Sequence, residues 1–184
     1  MHFIIDSSLE LKQLQLEDSK HLFAVTNANR DYLAKWLAWV KDTRSVQDTE
    51  KFIRNTIFRY ENKGELVCGI WFENSLIGTI GLIDVDKKDR KTELGYWLAQ
   101  EYQGKGIMTK AVKVFLQYAF EELKLHRVQI LVAVENKKSQ AIPERLGFTK
   151  EGILRGNAWL YDHFEDHIVY SLLDHEFQRE IKAR

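Results

Sequence analysis

Proline is nearly missing from this chain: one residue, Pro143, in 184. That scarcity excludes a proline-rich adaptor or linker. Cysteine is equally rare. Cys68 stands alone, so no intrachain disulfide can form and a cysteine-built metal site is out of reach. Neither sign of charge is in excess, with 27 basic against 27 acidic side chains, which excludes a polyanion binder built on a broad basic surface. No run approaches the roughly 18 consecutive apolar residues of a membrane span. The opening MHFIIDSSLELKQ lacks a basic region, a full apolar stretch and a cleavage site. A cytoplasmic protein with no membrane partner and no direct nucleic-acid partner is therefore expected. What is abundant is 45% hydrophobic and 29% charged residues, the balance of one globular domain spanning 1–184.

Periodicity orders the elements. Leu9, Leu11 and Leu14 suggest a first strand, and Asp18 is placed to cap a helix carrying His21, Leu22, Val25 and Ala28. Tyr32, Leu33, Trp36 and Leu37 continue at helical spacing, and Ser45 precedes a further helix over about 46–61. The period then changes. Leu66–Phe72 and Leu76–Ile83 flank the tight turn Glu73–Asn74–Ser75 and read as a hairpin, with a charged loop over 84–91 and a third strand over 92–98. A long amphipathic helix over 107–123, an apolar strand over 128–134 and a short helix opening near Asn136 follow. Two strands, near 148–159 and 167–173, complete the order. This is a mixed α/β (α+β) fold and not a repeated βαβ fold.

Between the third strand and the long helix lies Gln103–Gly104–Lys105–Gly106. Glycines there permit positive backbone angles and leave N–H groups uncovered at a helix N-terminus, a nest for phosphate that Lys105 and Lys110 would reinforce. The turn is not a Walker A loop, because no Ser or Thr follows Lys105, and it lacks the third glycine of the dinucleotide fingerprint. By itself, strand–Gly-x-Gly–helix is equally an ordinary connection.

Three segments together carry more. Glu93–Leu94–Gly95–Tyr96–Trp97–Leu98 with Gln103–Gly104–Lys105–Gly106–Ile107–Met108, then Asn136–Lys137–Lys138–Ser139, then Leu146–Gly147–Phe148–Thr149–Lys150–Glu151–Gly152 resemble the GCN5-related N-acetyltransferase (GNAT) superfamily. Within it they are most similar to the ribosomal-protein serine/alanine N-acetyltransferase branch. The family motif Gln/Arg-x-x-Gly-x-Gly/Ala is met at every defined place but the last, where Met108 stands. The resemblance implies an acyl-CoA N-acyltransferase fold, a mostly antiparallel sheet splayed at the cofactor site and flanked by helices. It implies an acetyl-CoA-dependent enzyme that passes the acetyl group directly to a primary amine, most simply the N-terminal amine of a protein such as a ribosomal protein. A homodimer is compatible with it. The alternatives are a small-molecule acceptor (amino acid, polyamine or antibiotic) and a non-catalytic acyl-CoA-binding protein.

The resemblance also assigns residues. The pyrophosphate of acetyl-CoA would rest on Gly104, Lys105, Gly106, Ile107, Met108 and Thr109 with Gln103 beside them, and the pantetheine arm on the backbone of Trp97 and Leu98. Asn136 would cap its helix and touch that arm. Ser139 would meet the CoA sulfur as general acid or thiolate stabiliser. The tyrosine that many members place seven residues after the asparagine is replaced here by Pro143, which shifts the sulfur-side role to Ser139. A proline there also removes the N–H that would bond the Ser139 carbonyl. Glu93 is the candidate base or water-orienting carboxylate, because a charged residue opens an apolar strand ending at the site; a solvated strand end is the plain alternative. Met108 must turn its side chain into the helix packing. Tyr32, Trp36 and Trp39 are expected on a wall of the acceptor cleft or in the core, and Asp166 and His167 near that cleft. With six histidines but no HExxH pattern, no metal is expected.

Overall fold

A computed structural model describes residues 1–177; residues 178–184, part of the expected single domain, lie outside the described residues. Its strands are β1 (His2–Ile4), β2 (Leu9–Gln13), β3 (Val67–Phe72), β4 (Ser75–Asp86), β5 (Lys91–Leu98), β6 (Arg127–Ala133), β7 (Thr149–Leu160) and β8 (His163–Leu173). They form one sheet in the order β1-β2-β3-β4-β5-β6-β8-β7. Every neighbouring pair is antiparallel except β5 and β6. The helices are α1 (Ser19–Ala28), α2 (Arg30–Leu33), α3 (Val46–Lys63), α4 (Ile107–Gln117) and α5 (Lys137–Arg145). A mixed α/β fold is what the element order implied, and a mostly antiparallel sheet is what the family resemblance implied.

Local chemistry explains most boundaries. Glu73 and Asn74 both take left-handed angles (φ 49° and 64°), the two-residue turn whose twist suits a β-hairpin. Ser45 caps α3 by accepting from the Asp48 N–H at 3.3 Å, while the Asp48 carboxylate accepts from the Ser45 N–H at 3.0 Å. Three expectations need correction. Asp18 is itself helical and caps nothing in α1; its carboxylate accepts from the Gln15 N–H at 2.9 Å, closing a short turn one step earlier. The short β1, mostly exposed, carries too little hydrophobic pattern to be read from sequence, yet it pairs along β2. The long helix stops at Gln117, and a single π turn over Tyr118–Glu122 follows, closed by the Leu123 N–H on the Tyr118 carbonyl at 3.0 Å.

Alternation along the strands builds two cores. Cys68, Ile70, Ile80, Leu82, Leu94 and Leu98 pack with α4 through Ala111, Val112 and Phe115 in the main cluster. Neighbouring positions point the other way: Leu76 joins Leu14, Leu22 and Ile53, with Val67 and Trp97 packed against them. Helices α4 and α5 thus cover one face while α1 and α3 cover the other. No helix among the described residues is long and apolar enough to cross a membrane.

Phe115 is wholly buried at the centre of the main cluster. Phe115→Ala is expected to lower the free energy of unfolding by about 3–5 kcal/mol, read from urea denaturation.

Candidate active site

The site begins where β5 leaves β6. Their parallel pairing comprises Lys91 with Arg127, Thr92 with Val128 and Glu93 with Gln129, and goes no further. From Ile130 onward β6 pairs only with β8, while β5 stays with β4 as far as Leu98. The inner edge of β5 is left open beside a cavity of about 900 Å³. Trp97, Leu98, Gln103, Gly104, Gly106, Ile107, Met108, Thr109, Asn136 and Ser139 all line it, so ten of the residues singled out from sequence converge on one space. Lys105 does not line it; its ammonium sits 5.1 Å from the centre of the Tyr102 ring.

The cavity wall is built for an anion. Gly104 and Gly106 have φ of 74° and 75°, and a Cβ at either would meet nothing within 4 Å. Their requirement is the left-handed backbone, not space. Gly106 is the N-cap of α4 and no side chain caps that end, so the first N–H groups of the helix face outward with the positive end of its dipole. Lys110, Lys113, Lys138 and Arg145 line the cavity and, among the described residues, no carboxylate does. Arg145 donates to the Thr109 hydroxyl at 2.9 Å, and Lys138 to the Gln103 side-chain oxygen at 3.3 Å. The Gln103 amide donates to the Tyr32 hydroxyl at 2.6 Å, which ties α2 to the turn. Met108 is 6% exposed and packs in the main core, as its place in the motif required.

Helix α5 carries Ser139. Asn136 caps it by accepting from the Ser139 N–H at 3.2 Å. Pro143 lies inside the helix and has no N–H for the carbonyl four residues earlier, that of Ser139. The Tyr96 hydroxyl fills that vacancy, donating to the Ser139 carbonyl at 3.3 Å, and the Ser139 Oγ donates to the Tyr96 hydroxyl at 3.4 Å. Burial pushes the Tyr96 phenol well above the usual tyrosine range. Sequence reasoning missed Tyr96. Inside an apolar strand it reads as one more core aromatic, and its only signal is its place before the glycine turn.

A second cavity, of about 620 Å³, opens on the α1–α3 face and shares Leu37, Tyr96 and Trp97 with the first. It is lined by Trp39, Phe52, Thr26, Thr49, Thr56 and Thr79 among others. The Thr49 hydroxyl is buried there without a hydrogen-bond partner. Its charged groups come mostly as pairs: Lys51 lies 3.7 Å from Asp48, and Arg59 binds the buried carboxylate of Glu65. Of the aromatic residues expected at an acceptor wall, Trp39 lines this cavity, whereas Tyr32 and Trp36 line the first.

Glu93 lines neither cavity. The β4–β5 register runs unbroken from Glu93 to Leu98, so Glu93 shares its face with Gly95 and Trp97, on the side of the second cavity. It accepts from the Gln129 amide at 3.4 Å, and burial holds its carboxyl above the usual carboxylate range. Asp166 and His167 also stand apart from both cavities. Asp166 accepts from the Gly156 N–H at 2.7 Å, and His167 pairs with the Asn157 amide at 3.0 Å. Burial pushes the Cys68 thiol up to about 12, which leaves it inert as a nucleophile. No cluster of three or more metal-ligating side chains occurs among the described residues.

Known proteins were then compared. The family model described as "Acetyltransferase (GNAT) domain" matches residues 8–149. Among curated relatives is the "Putative ribosomal N-acetyltransferase YdaF" of Bacillus subtilis (strain 168), 37% identical over 178 residues, covering 96% of this chain and 97% of that protein. Another is the "Ribosomal-protein-serine acetyltransferase" of Escherichia coli (strain K12), 28% identical over 91% of this chain and 93% of that one. Among solved structures, the microcin C7 self-immunity acetyltransferase MccE in complex with acetyl-CoA and AMP matches with a TM-score of 0.88 at 28% identity, covering 92% of this chain and 94% of that one.

The raised Glu93 carboxyl has a stability consequence. A carboxyl whose folded pKa lies above its unfolded value disfavours folding once ionised, and this cost vanishes below the unfolded value. Glu93→Gln, which keeps an acceptor for Gln129, should therefore be more stable than the parent at pH 8 and equal to it near pH 4. Urea unfolding at the two pH values measures the difference.

Proposed function

The chain belongs to the GNAT acetyltransferase family, and from that premise we propose that it moves the acetyl group of acetyl-CoA to the N-terminal amine of a protein in the cytoplasm. One observation carries the reading. Two cavities open on opposite faces of the sheet and meet at Tyr96 and Trp97, where β5 has parted from β6. The first suits a phosphate-bearing donor: left-handed glycines, an uncapped helix N-terminus and four basic side chains without a carboxylate. The second suits an amine arriving from the other side. Acetyl-CoA supplies the activated thioester.

The residues divide the work as follows. The N–H groups from Gly104 to Thr109 hold the pyrophosphate, with Gln103 and Thr109 beside them, and Asn136 holds the start of α5. The open edge of β5 at Trp97 and Leu98 pairs with the pantetheine arm, and an N–H there meets the charge developing on the carbonyl oxygen. Ser139 serves the departing sulfur. Glu93 lies two residues along the strand from Gly95, roughly 7 Å away, so it acts on the amine through water. Facing the two substrates across one gap supplies much of the remaining rate.

The acceptor class rests on the second cavity. Its charges are largely self-paired, Asp42 apart, and its remaining polar groups are mostly hydroxyls, including the unpartnered Thr49, with the Asn55 amide. Such a groove accommodates a chain end with one ammonium and a small side chain better than a polycation, which needs several unpaired carboxylates. The two relatives named for ribosomal substrates support this assignment. The small-molecule reading draws on MccE.

Release of CoA from acetyl-CoA, followed with peptides beginning in Ser or Ala, free amino acids and spermidine, tests the proposal. The peptides should give the highest kcat/KM. Preference for spermidine or an amino acid would overturn the acceptor, and absence of amine-dependent release across the panel would overturn the enzyme. Ser139→Ala should lower kcat by about 100-fold with little change in KM for acetyl-CoA.

A further inference from the structure

We propose that Tyr96 is a positioning residue for Ser139, held in place by the carbonyl that Pro143 leaves without a helix partner. The inference rests on the reading above, in which Ser139 serves the CoA sulfur. The phenol lies almost midway between two oxygens of a single residue, donating to the Ser139 carbonyl at 3.3 Å and accepting from the Ser139 Oγ at 3.4 Å. A proline ring also crowds the carbonyl four residues before it. The Ser139 carbonyl accepts instead from Tyr96 on β5.

Two hydrogen-bond patterns follow from those distances. At rest, Tyr96 donates to the carbonyl and Ser139 donates to Tyr96. When the carbon–sulfur bond breaks and its electron pair goes to sulfur, Ser139 turns its O–H towards that charge and Tyr96 turns its own to the Ser139 Oγ. If the proton moves, it passes from Ser139 to sulfur and is replaced from Tyr96. The phenol is restored from solvent, which has taken the surplus proton of the amine once the nitrogen–carbon bond has formed. Two stacked donors stabilise a thiolate more than one.

The surroundings fit this role. Burial keeps the Tyr96 phenol protonated across the working range, so its O–H is retained as a hydrogen-bond donor. Tyr170 on β8, a phenol close enough to bear on Tyr96, is committed elsewhere, donating to the Glu144 carboxylate at 2.8 Å. Lys138 on α5, the nearby ammonium in sequence, is engaged with Gln103. In effect the hydroxyl that many family members place on α5 reaches the same neighbourhood from β5.

The test uses bound CoA as well as turnover. The pKa of the CoA thiol is read from the ultraviolet absorbance of its thiolate, in complexes with the parent, Tyr96→Phe, Ser139→Ala and the double variant. Tyr96→Phe should raise it by about one unit and lower kcat by about tenfold, with KM for acetyl-CoA changed less than about twofold. The double variant should match Ser139→Ala alone, because Tyr96 acts only through Ser139. Pro143→Ala is the second variant and leaves the Tyr96 ring in place. It supplies an N–H that competes for the carbonyl, and should move both quantities in the same direction. An unchanged thiol pKa in Tyr96→Phe, or effects of Tyr96→Phe and Ser139→Ala that simply add, would overturn the inference. The thiol measurement needs no acceptor, so a wrong amine would sink the acceptor assignment and leave this result readable.

Discussion

Everything at the site depends on one interrupted pairing. Parallel strands normally keep their ladder, because an unmatched N–H or C=O inside a protein costs a hydrogen bond. Here β5 and β6 are joined for only three residue pairs and then separate. Each can afford it because each has another partner. β4 follows β5 to its end, and β8 follows β6 to its end, so only one edge of each strand is left unmatched. That open edge presents main-chain groups to the first cavity, and the residues beside it, Tyr96 and Trp97, line the cavities on both faces of the sheet.

The electrostatics obey the same local logic. With 27 charges of each sign the protein has no net field to gather phosphates from a distance. At physiological salt such a field would in any case fade within about 8 Å. Attraction is built instead from what lies inside one cavity: dipoles at the start of α4, two left-handed glycines and four basic side chains. Several of these are already fixed by neighbours, Arg145 by Thr109 and Lys110 by Asp6 at 2.7 Å. A preorganised wall loses little freedom when a ligand arrives.

The sequence was legible where chemistry is local. Glycine spacing identified the turn, Asn136 the cap of α5, and Ser45 the start of α3, since each is decided by residues within one turn of the chain. It was less legible where the outcome depends on a distant partner. Asp18 looks like a helix cap until Gln15 claims its carboxylate, and β1 exists only because β2 is there to pair with it. Tyr32 belongs to the same class: its helical spacing says nothing of Gln103, 71 positions away, which fixes it beside the first cavity. Glu93 shows the limit of parity arguments. Alternation alone cannot fix a strand residue's face, because a β-bulge would reverse it; the unbroken register settles the face of Glu93 while leaving the carboxylate outside both cavities.

Pro143 gathers these threads. A proline within a helix interior costs about 3 kcal/mol, from one missing hydrogen bond and one crowded carbonyl. Read as a local defect, it weakens a nine-residue helix. In the fold it acts at longer range, because the carbonyl it displaces belongs to Ser139 and the hydroxyl that answers comes from the open strand 43 residues earlier. The bond that compensates the helix also joins α5 to β5 across the entrance to the splay. It therefore ties together two elements that both line the first cavity. An alanine at this position would give a better helix and a looser gap. The single proline of the chain thus stands where the cost to one element becomes the alignment of two.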